Sequence, residues 1–186
     1  MKLKKIIKDV CVTLGLDELA LGLDAENISQ ATETGTKKFV NYFNVIEKEI
    51  ASEFLPAMKK EYIEAENQID FSSLEEDILD VIYIKNKDNQ KMFFEVFPSF
   101  VTFQGTSFEI LYTYLPDDFG LTDDIDVLVP NQVYVYGILR EHYENEGLLD
   151  KAQICEEKFK NSISSLIEKD KNKIFNPKRL PKRNWF

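Results

Sequence analysis

The residues able to do chemistry are few, and they are scattered. His142 is the single histidine, so most zinc sites and histidine-based triads lack their parts. It stands between Glu141 and Tyr143 in a helical pattern, and no nucleophile can be named beside it, so it reads as an ordinary helix residue. Cys11 and Cys155 lie on apolar stripes and read as small core residues. Two cysteines are too few for a disulfide framework, and a reducing compartment suits them. Two acidic clusters, Glu75-Glu76-Asp77 and Asp123-Asp124 with Asp126, have the oxygen ligands a divalent cation takes. Neither has calcium-loop spacing or its turn glycine, and both read as solvated loop or helix-start acids. Nothing singles out a carboxylate pair of the glycosidase kind. There is no glycine-rich phosphate loop, no G-x-S-x-G elbow and no cysteine pair at metal spacing. The expectation is a protein that is not an enzyme, with no catalytic residues, no metal and no cofactor.

The most informative segment is 171–186, KNKIFNPKRLPKRNWF. Lys178, Arg179, Lys182 and Arg183 alternate with Leu180, Trp185 and Phe186. Two prolines predict an extended arm and not a helix. An exposed Trp-Phe pair is costly in water and is the usual kind of interface anchor. Three readings stand side by side: the arm folds back on its own core, it binds a partner, or it binds nucleic acid through stacking and cations.

The elements that must position this arm follow from periodicity. Leu3, Ile6, Ile7, Val10 and Leu14 predict an N-terminal helix, and 16–35 a linker or a short second helix. Phe39, Phe43, Ile46, Ile50 and Phe54 share one helix face, with Thr36 as N-cap and Pro56 as the stop. Between 58 and 116 the chain changes to short runs rich in Ile, Val, Phe and Tyr. These are Lys60–Ala65, Gln68–Phe71, Leu79–Ile84, Met92–Phe97, Phe100–Phe103 and Phe108–Leu115. Turn residues separate them, so an antiparallel β-meander is expected. Two helices follow, about 126–146 and 149–170. Pro130 lies near the start of the first, and Gly147 lies between them. Ala152, Cys155, Phe159, Ile163 and Leu166 form the stripe of the second, and the short joint makes an antiparallel pair. The expected fold class is α+β: a helix bundle with an inserted antiparallel β-meander and an extended basic C-terminal arm. The expected divisions are an N-terminal helical arm (1–35), a main domain (36–170) and the C-terminal arm (171–186).

At 186 residues, with 44% apolar and 12% aromatic residues, the chain suits one domain with arms and a real core. No apolar run approaches the ~18 residues of a membrane span. Met1–Leu16 places lysines before apolar residues as a signal peptide does, but Lys8 and Asp9 interrupt it and no small-residue cleavage site follows. Synthesis in the cytoplasm and no membrane partner are expected. The net charge of −10 is uneven. Residues 1–8 carry four lysines and no acid, and 169–186 carry seven basic residues against Asp170, so 9–168 carries −20. Such a body opposes a DNA-gripping surface, whose affinity comes from Lys and Arg on phosphates.

The order of segments resembles the head-to-tail adaptor (connector) proteins of tailed bacteriophages, in layout closest to those of short-tailed phages and to tail tubular protein A. The resemblance covers roughly 36–186. It is carried by the helix ending Asn44-Val45-Ile46-Glu47-Lys48-Glu49-Ile50-Ala51-Ser52-Glu53-Phe54-Leu55-Pro56 and the strand turn Gln68-Ile69-Asp70-Phe71-Ser72-Ser73-Leu74. The strand exit Tyr112-Thr113-Tyr114-Leu115-Pro116, the helix-pair pieces Tyr136–Glu141 and Glu146–Ala152, and the basic, aromatic tail complete it. Residues 1–35 have no counterpart in that layout. The resemblance implies a virion protein at the capsid–tail junction, forming a ring, usually a dodecamer, under the portal. The ring extends the DNA channel. Its implied partners are the portal protein, tail or further ring proteins, copies of itself, and double-stranded DNA that passes without sequence-specific binding. Lys178, Arg179, Lys182, Arg183, Trp185 and Phe186 would be the portal anchor. The acidic body suits a channel through which DNA slides. Two other readings come from different classes: an acidic binding protein outside the virion, mimicking DNA or blocking a host enzyme, and a hydrolase with an Asp/Glu site.

Overall fold

The structure is a computed structural model and describes residues 3–125 and 128–174. The chain is an α+β protein, with helices at both sides of a run of six strands. Its contacts divide it into two units. One holds the described residues up to Ile46 and from Phe119 onward, and the other is Glu47–Asp118. The division therefore does not fall at 35/36, because the first helices belong to the helical unit.

In that unit α1 (Leu3–Thr13) buries Leu3, Ile6, Ile7, Val10 and Cys11. It ends where Gly15 takes φ +70°. The Gly15 N–H donates to the Val12 carbonyl at 3.1 Å and the Leu16 N–H to the Cys11 carbonyl at 2.9 Å, a pair of bonds that closes a helix through a left-handed residue. Residues 16–35 resolve into a short helix, α2 (Asp17–Asp24), and the start of α3 (Gln30–Glu49). α3 thus begins six residues before Thr36. Ser29 caps it, its Oγ accepting the Thr32 N–H at 3.2 Å. Thr36 is buried inside the helix, where its hydroxyl donates to the Thr32 carbonyl at 2.8 Å. Phe39, Phe43, Ile46 and Ile50 are buried as the spacing predicts. The helix then widens into one π-helical turn, Ile50–Phe54, closed by Leu55 N–H to the Ile50 carbonyl at 2.8 Å, and Pro56 stops it.

α4 (Asn131–Asn145) starts after Pro130, later than the expected 126. The missing N–H of proline and its fixed φ place it at a helix start. Gly147, at φ +72°, repeats the α1 ending: it donates to the Glu144 carbonyl at 3.0 Å, and Leu148 donates to that of Tyr143 at 2.8 Å. α5 (Leu149–Ile174) follows. Residues 171–174 are therefore helical and not part of an extended arm; with no proline before 177, i→i−4 bonding continues past the apolar stripe. The remainder of the arm, 175–186, lies outside the described residues.

Gly137 sets how closely α3 and α4 approach. A Cβ there would lie 2.8–2.9 Å from three side-chain carbons of Ile46. Gly137→Val is expected to destabilise the fold by about 1–3 kcal/mol through overpacking, despite better helix propensity. A urea midpoint equal to that of the parent protein would contradict this close packing. Beside it Phe43 packs on Tyr134, ring centroids 4.9 Å apart. The Asn44 side chain holds both backbone groups of Phe119, at 3.0 and 3.1 Å.

The second unit contains β1 (Ala57–Glu61), β2 (Glu66–Asp70), β3 (Ile78–Lys85), β4 (Phe94–Val96), β5 (Phe100–Thr106) and β6 (Glu109–Tyr114). Each answers one of the six short runs. Their pairing is not a single meander. β1-β6-β3 form one antiparallel sheet and β2-β5-β4 another, so the first strand pairs with the last and the second with the fifth. Ile69, Val81, Ile84, Val101, Phe103, Ile110 and Tyr112, drawn from both sheets, make one core. Burial of each large apolar side chain there is worth about 1.5–3 kcal/mol. The nested pairing brings that core together, since β2, β3, β5 and β6 each contribute a covered residue.

Candidate functional site

The residues with reactive chemistry take structural places. Cys11 and Cys155 are buried free thiols, and burial raises the pKa of each, which keeps them protonated. Glu75 and Glu76 both clasp Lys59 at 2.6 Å. Those two hydrogen bonds, Glu75 first, push the Lys59 pKa well up. Asp123 accepts the Gly120 N–H at 2.7 Å and so closes a turn; Asp126 lies outside the described residues. Among the described residues no three His, Cys, Asp or Glu side chains gather as a metal site. None of their helices is long and apolar enough to cross a membrane.

His142 lies on the last turn of α4 with its Nδ1 buried and making no hydrogen bond. Phe39 meets it edge-on, centroids 5.8 Å apart, and Glu146 Oε1 is 4.0 Å from Nδ1. Lys38 reaches the same carboxylate oxygen at 4.0 Å. Burial, then Lys38, lowers the His142 pKa, against the pull of Glu146. The unfolded chain therefore takes up the proton first. The stability tied to neutral His142 is complete above about pH 6.5 and is lost as the pH falls through the lower folded-state value. His142→Gln is expected to remove this part of the loss between about pH 7 and 5. Equal losses of urea midpoint in parent and variant over that interval would contradict it.

In the helical unit, side-chain bonds and ring contacts join α4 to α5. Arg140 of α4 is nearly covered, its side chain 9% exposed. Its Nη1 donates to Glu156 Oε2 of α5 at 2.7 Å, and its Nη2 to Glu141 Oε1 at 2.8 Å. The guanidinium lies 5.2 Å over the Phe159 ring. Lys160 takes the other oxygen of Glu156 at 2.6 Å. Burial pushes the Glu156 carboxyl up, but the bonds from Arg140 and Lys160 outweigh it and its pKa lies below the ordinary value. Lys158 over Tyr136 and Lys151 over Tyr143 continue the same antiparallel register. The six anchor candidates, Lys178, Arg179, Lys182, Arg183, Trp185 and Phe186, lie outside the described residues, beyond the end of this braced helix.

The sheet unit adds a cluster that no linear motif announced. Glu109 of β6 is buried. It accepts the Tyr83 hydroxyl at 2.8 Å and pairs with Lys85 at 3.2 Å and Lys60 at 3.4 Å. The Tyr83 bond first, then the lysines, hold its pKa below the ordinary value against burial. Lys85 and Lys91 lie 4.6 and 5.3 Å over the Tyr83 ring. Tyr62 and Phe108 pack beside each other, 5.6 Å apart, and both are exposed. Three strands and a loop bring these residues together, and only the strand register reveals it. The signal in the sequence was the excess of aromatics between 83 and 114. On the inner side the Tyr112 hydroxyl bonds Glu61; burial first, then that bond, raises the Tyr112 pKa.

The geometry defines an α+β chain with a sheet unit inserted in a helical one and a braced helix leading to a basic, aromatic segment. Compared with protein-family models and with curated proteins, the chain finds no match.

Proposed function

We propose that the chain is a structural protein of a tailed-phage particle: a ring component at the portal vertex that connects capsid to tail and extends the DNA channel. The observation that carries this reading is the order of parts. A helical unit is interrupted between α3 and α4 by a six-stranded insertion, and it closes with an antiparallel helix pair. In sequence, the second helix of that pair is followed by the segment that carries Lys178, Arg179, Lys182, Arg183, Trp185 and Phe186. A braced helix pair before the anchor limits what must be ordered on binding. The arm then seats on the portal through its cations and its aromatic pair. The body, at −20 over 9–168, repels a passing duplex, so DNA slides through the ring without sequence-specific contacts.

Purified portal rings mixed with the full chain test this reading. Co-sedimentation that saturates at about one chain per portal subunit is the expected result for matched rings. Portal rings that sediment without the chain would contradict it.

A further inference from the structure

The two ends of β3 carry opposite kinds of surface. At the end near Lys85 the exposed groups are Lys60, Lys91, Tyr62 and Phe108, with Lys85 and Tyr83 half-buried among them. One buried carboxylate, Glu109, offsets three lysines there, and the neighbouring Lys87–Glu64 pair is balanced within itself. In a unit as acidic as this one, that is a basic, aromatic face. At the start of β3 lies an open groove of about 370 Å³, lined by Phe71, Leu79, Asp80, Val96 and Phe97 among others. Its exposed apolar residues are Leu79, Val96 and Phe97. Asp70, Asp77 and Glu95 adjoin it in sequence, and none of these acids nor Asp80 forms an ion pair among the described residues. Six residues of strand, about 20 Å, separate Leu79 from Lys85.

We infer that the basic, aromatic face of one copy docks on the acidic, apolar groove of a second copy of this chain. The charges are complementary, and each surface also offers apolar area that is costly to leave in water. The two surfaces differ and lie at different places on one chain, so the contact is head-to-tail. Such contacts repeat, and they close into a ring when the rotation allows. The inference rests on the proposed function only for that closure; the pairing of the surfaces stands on their charge and shape.

A full-length chain carrying both Tyr62→Cys and Leu79→Cys tests it. Both positions are exposed, and the native Cys11 and Cys155 are buried and do not compete. Under mild oxidation the double variant is expected to give a ladder of covalent multimers on a non-reducing gel, and each single variant a monomer. Adding Asp80→Lys to the double variant should cut the ladder at least about tenfold, since like charges then face each other. A double variant that stays monomeric, or single variants that form dimers, would overturn the inference. The two ideas fail separately. A ladder from a chain that portal rings do not bind keeps this contact and ends the connector reading. Portal binding without a ladder keeps the connector reading and ends this contact.

Discussion

A chain lacking 177–186 is expected to fold as the parent does and to fail to join portal rings. The described part of α5 is Leu149–Ile174 and its bracing contacts come from Lys151 to Lys160, so the truncation removes none of them. The expected melting temperature is unchanged within about 1 °C, since no described core contact is lost. Binding should fall at least about a hundredfold, because an aromatic pair with flanking cations is the kind of anchor whose loss costs 2–4 kcal/mol or more. Replacing only Trp185 and Phe186 by alanine should account for most of the loss. Replacing the four cations by serine should instead weaken binding chiefly at low salt. Truncated chains that co-sediment with portal rings as the parent does would remove the arm from the account. Truncated chains that melt early would place the arm on the protein's own core.

The second large effect falls on the α4–α5 pair. Arg140→Ala leaves Glu156 and Glu141 without their main cation and uncovers the face of Phe159. Breaking a buried pair by removing one partner costs about 3–5 kcal/mol. Because both carboxylates are partly solvated, about 3 kcal/mol is expected here. For a chain of this length that lowers the melting temperature by roughly 6–12 °C. Glu156→Gln in the same chain should return part of the loss, since the acid that keeps only the exposed Lys160 as partner is then neutral. A variant that loses under 1 kcal/mol would mean that the two helices are held by their apolar stripe alone. The energetics of helix pairing and the presentation of the arm are linked: a loosened α4–α5 pair should also weaken portal binding, because the anchor then starts from a mobile base.

Much of the architecture was legible in the chain. The stripe Phe39, Phe43, Ile46, Ile50 repeats at helical spacing because a single face is buried, and that face is where the structure has it. The six strand runs were legible from their Ile, Val, Phe and Tyr content and the turn residues between them. Their partners were not. Alternation marks a residue as strand but says nothing of which strand lies beside it, and here β1 finds β6 across fifty residues of chain. Helix starts were misplaced for local reasons. Thr36 has the right chemistry for a cap, but Ser29 offers the same chemistry about two turns nearer the start, and the helix takes up the intervening residues. Gly137 and Arg140 carried no signal, since a close helix crossing and a buried guanidinium are settled by what lies opposite them. The candidate anchor was legible only from composition and from the resemblance. The basic, aromatic face around Tyr83 is the reverse case: the sequence shows only an excess of aromatics, and the cluster is evident once β1, β3 and β6 are in register.

The central claim is that this chain belongs to the particle and stands at the portal. On the proposed reading a phage encodes the chain, and quantitative mass spectrometry of purified particles of that phage, with the portal protein as internal reference, tests the claim most directly. The account predicts a copy ratio near one between chain and portal protein, unchanged after a salt wash that strips loosely bound proteins. Absence of the chain from the particles would contradict it.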